Sequence, residues 1–540
     1  MRLRSNAVEK KWDEHCCNLP STIPTDVEDR QNRRSYRFVA LLRCATVPSV
    51  LVLAGVLVFV LSPSTTTSSM SLRLLSIPRH TSIVEDDGPP PDLMVHGSRS
   101  YYTPCPPEFR KRAWAGFAKD THVIRAFRSQ GWYANDRDEY SWDDKAAIAT
   151  YRFLYKRKTQ SNKDYAVGQP WQRFSRIPGC SKKMGQKDSF QAGFRTLQKQ
   201  YDATHNDGRD LIYFLPETYQ LEHTKDRRKF EARILEEKKL GRNRPWVLKK
   251  ADINNGRGIE MLPPDSEALY TATARAKEDD DHNYIVQSYV CNELTWFNGK
   301  KFDLRFYWLV ASVDPLIVLY HDGYARVAGA MYNESDWGST GQHLTNHQFR
   351  KEMGQPTDED VLWDALWRRV REHYAANYER LSQLIVGDDP VRHVRNQIKE
   401  ALSATVEAFK DSLTGKTEDT KVTTENNFAF YGSDFIIDAD LDVYYLEAQS
   451  SPGLGQSLDF RIDMFRSLFR PMVNIVEEIA DKQEKDAKAN LLPIESLGDY
   501  EIIYAGDDWR YEFKGYKRRK DKKGCQLSPK QMSDTLWSPN

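Results

Sequence analysis

Cysteine is sparse in this chain of 540 residues: the 7 that occur, at positions 16, 17, 44, 105, 180, 291 and 525, form no CxxC pair and no repeating spacing. Neither a zinc site nor a disulfide framework is indicated. An excess of one charge is also missing. Lys and Arg number 78 against 77 Asp and Glu, for a net charge of +1, so there is no global attraction to nucleic acid or acidic lipid, and no nucleic acid is expected as a partner. Glycine (28) and proline (25) are too few for a fibrous or low-complexity chain. A mean hydropathy of −0.68 excludes a polytopic membrane protein. The motifs GxGxxG, GxxxxGK[ST], HRD and DFG are absent, which weakens a Rossmann or P-loop reading and sets aside a protein kinase.

What remains is a globular composition, 40% hydrophobic and 12% aromatic, long enough for roughly two to four domains. One long apolar run stands out. Residues 44–72 carry no charge, and 45–61 read ATVPSVLVLAGVLVFVL, close to the roughly 17–25 residues that cross a bilayer as a helix. The run has no polar face, as a buried core helix would, and a Ser/Thr stretch follows it. A single transmembrane helix over 44–61 is therefore expected, making this a single-pass membrane protein. Arg30, Arg33, Arg34, Arg37 and Arg43 precede the run while only Arg73 and Arg79 closely follow, so the positive-inside rule places the large C-terminal part on the lumenal side.

Four later segments embed charged residues in apolar, strand-like sequence. Burying an unpaired charge is costly, so such residues face a ligand, a metal or one another. In RPWVLKKADINNGRGIEML (244–262) a strand ends in Lys249, and a turn with Gly256, Arg257 and Gly258 leads to Ile259. This is either an anion-binding glycine loop or a plain hairpin turn. YIVQSYV (284–290) is a buried strand holding Gln287. In KKFDLRFYWLV (300–310) period two puts Lys301, Asp303 and Arg305 on one face and Phe302, Leu304 and Phe306 on the other. In FAFYGSDFIIDADLDVYYLEAQSSPGL (428–454) two apolar runs flank a turn rich in Asp. A hairpin centred there brings Asp434 opposite Glu447, Cβ atoms roughly 5 Å apart. Two facing carboxylates repel, which a divalent cation relieves, with Gln449 on the same face as a third oxygen ligand; a shared proton or a Lys/Arg partner is the alternative.

Taken in order, WVLKKADINNGRGI, YIVQSYV, KKFDLRFYWLV, DGYARVA, HLTNH (343–347), YGSDFIID and LEAQSSPGL, with RIPGCSKKMGQKDSF (176–190) upstream, resemble the tubulin-tyrosine ligase-like family of the ATP-grasp superfamily. The resemblance covers about 172–454. It implies an α+β, ATP-grasp-like ligase with N-terminal, central and C-terminal lobes, here preceded by a single transmembrane helix. The chain then divides into an N-terminal basic segment (1–43), the helix (44–61), a Ser/Thr/Pro-rich stalk (62–98), the ligase domain (99–490) and a basic tail (491–540).

The implied activity is ATP- and Mg²⁺-dependent addition of a free amino acid (tyrosine, glutamate or glycine) to a protein acceptor such as tubulin, through an acyl phosphate. By the same resemblance Lys249, Gly256, Arg257, Gly258 and Ile259 hold phosphates, and Gln287, Ser288, Tyr289 and Val290 line an adenine pocket. Lys301, Asp303, Thr345 and Asn346 contact nucleotide, Arg305 neighbours the transferred phosphoryl group, and Arg326 binds the amino acid's carboxylate. Asp434, Glu447 and Gln449 match the Mg²⁺ ligands, with Glu447 counted catalytic beside Arg305 and Arg326. The family's third ligand is Asn; Gln449 keeps the amide oxygen on a stem one methylene longer. A catalytically impaired domain acting as a nucleotide- or protein-binding adaptor is the alternative. A tubulin acceptor would require the cytoplasmic side, against the charge rule.

Overall fold

Strand periodicity organises most of the chain. The structure, a computed structural model, describes residues 88–115, 121–135, 149–155, 169–241, 244–254, 256–279, 281–291, 294–333, 336–357, 359–415, 426–450, 452–453 and 459–516. All lie within one unit, His80–Asn540. Among them are three sheets in a mixed α/β arrangement.

The first sheet is parallel, β2-β1-β3-β4, from β1 (Arg112–Ala115), β2 (Tyr133–Asn135), β3 (Phe153–Tyr155) and β4 (Arg173–Phe174). The second is antiparallel, β5-β8-β6-β7, from β5 (Thr218–Gln220), β6 (Trp246–Lys250), β7 (Ile259–Leu262) and β8 (Tyr284–Ser288). Its Trp246, Leu248 and Val286 pack against Phe230, Ile234, Leu269 and Ala272 of the helices Thr224–Lys239 and Ser266–Glu278. Alternation then turns Val247, Lys249 and Gln287 to the opposite face.

The third sheet has seven strands, β13-β12-β9-β10-β14-β15 with β11 beside β10. These are β9 (Phe302–Val313), β10 (Leu316–Val327), β11 (Val361–Leu362), β12 (Ala429–Ile437), β13 (Val443–Gln449), β14 (Glu501–Ala505) and β15 (Trp509–Arg510). All twelve residues of β9 are buried. Phe302, Leu304, Phe306, Trp308 and Val310 share a core with the helices Lys187–Thr204 and Pro390–Ala408. Tyr307, Leu309 and Ala311 share another with the helix Asp459–Lys485. Cover on both faces is why these strands read as unbroken apolar runs.

Several expectations are corrected. The apolar run 211–214 forms a turn rather than a strand; Phe214 packs in the core, and its carbonyl accepts from Tyr445 N at 2.8 Å. The fold runs past the tail boundary expected at 490, because Leu491, Leu492 and Ile494 are core residues and β14 pairs with β10. Most of the basic run 516–524 lies outside the described residues. The end of the expected stalk is also tied in, since Val95 is buried, donates to Asn490 Oδ1 at 2.7 Å and accepts from Leu491 N at 3.1 Å. The expectation of a single-pass membrane protein does not stand. No helix among the described residues is long and apolar enough to cross a membrane, and 44–61, from which that expectation was read, lies outside them.

Candidate active site

The free face of the β5–β8 sheet and the charged end of the β9/β10/β12/β13 strands together line one cleft. Its walls include Val247, Met261, Ile436 and Leu446 beside Lys187, Lys249 and Lys301. Val247 lies opposite Gln287 in the β6–β8 register and beside Lys249 on the same face, so one alternation supplies both an apolar wall and a cation. Lys249 Nζ donates to Gln287 Oε1 at 2.7 Å, and Gln287 Nε2 donates to Thr218 Oγ1 at 3.0 Å. Burial pushes the Lys249 ammonium down to about 8, against an upward pull from Glu447.

At the other end Lys301 Nζ donates to the Tyr289 hydroxyl at 2.5 Å and to the Val290 carbonyl at 3.3 Å. It also lies over the Tyr289 and Tyr332 rings, at 4.1 and 4.9 Å from their centroids. Burial holds it near 7. The Tyr289 hydroxyl bonds His343 Nδ1 at 2.7 Å, and the His343 ring stacks on Trp337 at 5.5 Å. Burial, and then Lys301, push His343 down to about 4, so its imidazole is neutral.

Between these ends the strand register assembles a buried charge network. Arg326 lies opposite Asp303, and Asp434 opposite Arg305. Arg326 donates twice to Asp303, at 2.7 and 2.6 Å, and Thr345 Oγ1 donates to Asp303 Oδ2 at 2.5 Å. Arg305 grips Asp434 through Nε and Nη2, and Arg326 Nη2 lies 2.9 Å from the same carboxylate. Burial alone would raise the Asp434 carboxyl; the two guanidinium groups outweigh it and hold the group at about 2.

Two glycines make room for Arg305. A Cβ on Gly432 would sit 3.1 Å from Arg305 Cδ and 3.0 Å from Pro452 Cβ. One on Gly323, in the β10 bulge, would sit 1.6 Å from the Arg305 carbonyl oxygen.

The β12–β13 register pairs Asp434 with Glu447, the facing carboxylates expected from the hairpin. Asp434 meets arginine, the alternative to a cation weighed above. Glu447 is more open, 29% exposed, with Oε2 at 4.0 Å from Lys187 Nζ. Gln449 Nε2 donates to Glu447 Oε1 at 2.5 Å. Among the described residues no three His, Cys, Asp or Glu side chains are grouped to hold a metal. The three-residue set nonetheless offers only oxygen donors, two carboxylates and an amide, and that chemistry fits a hard cation.

Most of the residues expected in the site line this cleft: Lys249, Gly256, Ile259, Gln287, Ser288, Tyr289, Val290, Lys301, Asp303, Arg326, Thr345, Asn346, Asp434 and Glu447. Asn346 also caps the helix His347–Glu352, accepting from Gln348 and Phe349 amides. Arg257 is elsewhere, 63% exposed and paired with Glu352. Gly256 and Gly258 take φ of 75° and 68° in the turn joining antiparallel β6 and β7, the left-handed region that favours glycine. The segment is thus a hairpin. Lys187, His343 and the apolar walls had not been singled out. Lys187 lies in the block 176–190, but its position on a helix separated it from the strand pattern; Nζ donates to the Ile253 carbonyl at 2.6 Å.

The sequence profile of the Tubulin-tyrosine ligase family matches residues 163–486, more than half of the chain. The chain is 26% identical over 309 residues to the protein polyglycylase TTLL10 of Rattus norvegicus, covering 54% of this chain and 42% of that protein. To the probable tubulin polyglutamylase TTLL2 of Mus musculus it is 26% identical over 352 residues, 63% of this chain and 57% of the other. To the inactive polyglycylase TTLL10 of Homo sapiens it is 26% identical over 312 residues, 54% and 42%. The chain spans about half the length of these curated relatives. Its mixed α/β fold is consistent with the ATP-grasp-like domain of such ligases. With a profile match across the cleft-forming segments from Lys187 to Gln449, the chain belongs to the tubulin-tyrosine ligase family.

Proposed function

We propose that this protein is an ATP- and Mg²⁺-dependent ligase that joins a free amino acid to a protein acceptor such as tubulin. The observation that carries this reading is one cleft with an apolar wall, three lysines and two facing carboxylates at the end of a buried charge network. When bound, ATP with Mg²⁺ supplies activation of a carboxylate toward attack by an amine, through an acyl phosphate.

The chain's own residues have separable tasks. Val247, Met261, Ile436 and Leu446 give a planar base an apolar slot, and Tyr289 and Val290 bring backbone groups to its edge. Lys187, Lys249 and Lys301 bring positive charge for phosphates. Burial makes two of them, Lys249 and Lys301, stronger acids, and an incoming anion favours their charged forms. Asp434, Glu447 and Gln449 would hold the metal through oxygen. Arg305 and Arg326, clamped by Asp434 and Asp303, present preorganised cationic surfaces where negative charge builds up. Burial of the network keeps water from a reactive acyl group.

A second reading, an impaired domain that binds nucleotide or protein as an adaptor, is favoured by two features. Asp434 already has two arginine partners, and Gln449 turns its amide nitrogen to Glu447. Purified full-length protein with ATP, Mg²⁺, tubulin and a panel of labelled tyrosine, glutamate and glycine separates the two. Incorporation of label with ADP release supports the ligase, whereas nucleotide binding without incorporation supports the adaptor.

A further inference from the structure

One hydrogen-bond chain in the cleft has a direction fixed from its far end. His343 Nε2 lies 3.2 Å from the Asp336 carbonyl oxygen, which can only accept, so Nε2 carries the proton. That carbonyl is itself held: Gln342 Nε2 donates to it, and the Asp336 carboxylate accepts from the Gly338 and Ser339 amides at 3.1 Å each. Burial, and then Lys301, keep the imidazole neutral, which leaves Nδ1 as an acceptor. The Tyr289 hydroxyl, 2.7 Å away, therefore donates to Nδ1. With its one proton placed there, the Tyr289 oxygen can only accept, and it accepts from Lys301 Nζ at 2.5 Å.

This direction bears on the charge of Lys301. A lysine nitrogen donates in both its forms, but only the neutral amine has a lone pair to be met. A tyrosine hydroxyl free to turn could donate to that lone pair and stabilise the neutral form. Because His343 takes the hydroxyl proton, Tyr289 offers Lys301 only an oxygen, which favours the ammonium. The other neighbours act in the same sense. The Val290 carbonyl accepts from Nζ at 3.3 Å, and the Tyr289 and Tyr332 rings face it at 4.1 and 4.9 Å from their centroids. Tyr332 is hydrogen-bonded to Tyr289 rather than to the lysine. Asp303, two residues on, is engaged by Arg326 and Thr345. Burial alone favours the neutral amine, and the chain works against it. Two of the three ammonium N–H groups have partners here, and Lys301 lines the cleft beside His343.

We propose that His343 is a positioning residue for nucleotide binding: by taking the Tyr289 hydroxyl proton it turns the Tyr289 oxygen toward Lys301 and holds that lysine as an anion-binding ammonium. The inference rests on the reading of the cleft as a nucleotide site. The test titrates the full chain with ATP and Mg²⁺ by calorimetry. His343→Phe keeps a ring to stack on Trp337 but removes the acceptor, and ATP affinity is expected to fall about tenfold or more. His343→Asn, whose Oδ1 is as many bonds from Cβ as Nδ1, keeps an acceptor and should bind within about threefold of wild type. Tyr289→Phe should weaken ATP as well, and adding His343→Phe to it should cost nothing further, because both cut one chain. Tyr289→Phe and His343→Asn carry the test if His343→Phe does not fold. The proposal is overturned if His343→Asn loses as much affinity as His343→Phe or Tyr289→Phe, if the two Phe substitutions add, or if both leave affinity within about twofold of wild type. Wild-type protein that binds no ATP overturns the nucleotide reading of the cleft too, a result seen before any substitution is made and so distinct from the others.

Discussion

Replacing Asp434 by Asn tests the buried network directly. The substitution keeps the shape and removes the charge shared by Arg305 and Arg326, all three side chains being at most 7% exposed. Arg326 keeps its paired bonds to Asp303, but Arg305 loses its carboxylate partner. Leaving a buried charge uncompensated costs about 3–5 kcal/mol. The same two guanidinium groups hold the Asp434 carboxyl below the ordinary 3.8 against the upward push of burial, so its charged form contributes to stability. The sign follows from the depressed value: the contribution is fully present above pH ~4 and is lost as pH falls through about 2. Urea unfolding at pH 7, followed by tryptophan fluorescence, should show a loss of about 3 kcal/mol or more. Combining Asp434→Asn with Arg305→Met should recover part of it, because the orphaned cation is removed as well. A loss below about 1 kcal/mol, or a double variant equal to the sum of the single ones, would refute the compensated network.

Nucleotide binding at pH 8 should take up protons, since Lys249 near 8 and Lys301 near 7 are partly or largely neutral before the anion arrives. Calorimetry in buffers of different ionisation enthalpy reads this, and zero uptake would count against both lysines as anion contacts. For stability the pH slope has the same sign as for Asp434: with folded values below the ordinary 10.5, the unfolded chain holds more protons, so stability rises from about pH 7 toward 10 as the cost of burying these ammonium groups is relieved. Glu447→Gln should abolish ligation while leaving the unfolding midpoint within about 0.5 kcal/mol of wild type, because the side chain is partly exposed; full activity would remove Glu447 from the metal set. Gly323→Ala should destabilise by more than about 2 kcal/mol, its Cβ falling 1.6 Å from the Arg305 carbonyl oxygen; a wild-type melting temperature would show that the bulge is not tight.

Legibility in the sequence followed how local each cause is. Period two set Lys301, Asp303 and Arg305 apart from Phe302, Leu304 and Phe306, and the Asp-rich turn placed Asp434 across from Glu447. These are properties of single strands and one hairpin, where neighbours in space are close in sequence. Lys187 escaped because a helix brings it to the cleft from a region with no alternation of its own. The folded chain beyond 490 escaped because β14 gains its place by pairing with β10, some 180 residues earlier.

The amino-acid sequence alone determined which charged side chains gather in the cleft, because embedding charge in apolar strands is costly and marks those positions. It also determined the family, through blocks in a fixed order. Tertiary structure alone decided how those charges are shared. Asp434 is saturated by two arginines, and Arg257 turns outward to Glu352. Each of these depends on which strand or helix lies opposite, and electrostatic pairing follows distance in space rather than separation along the chain.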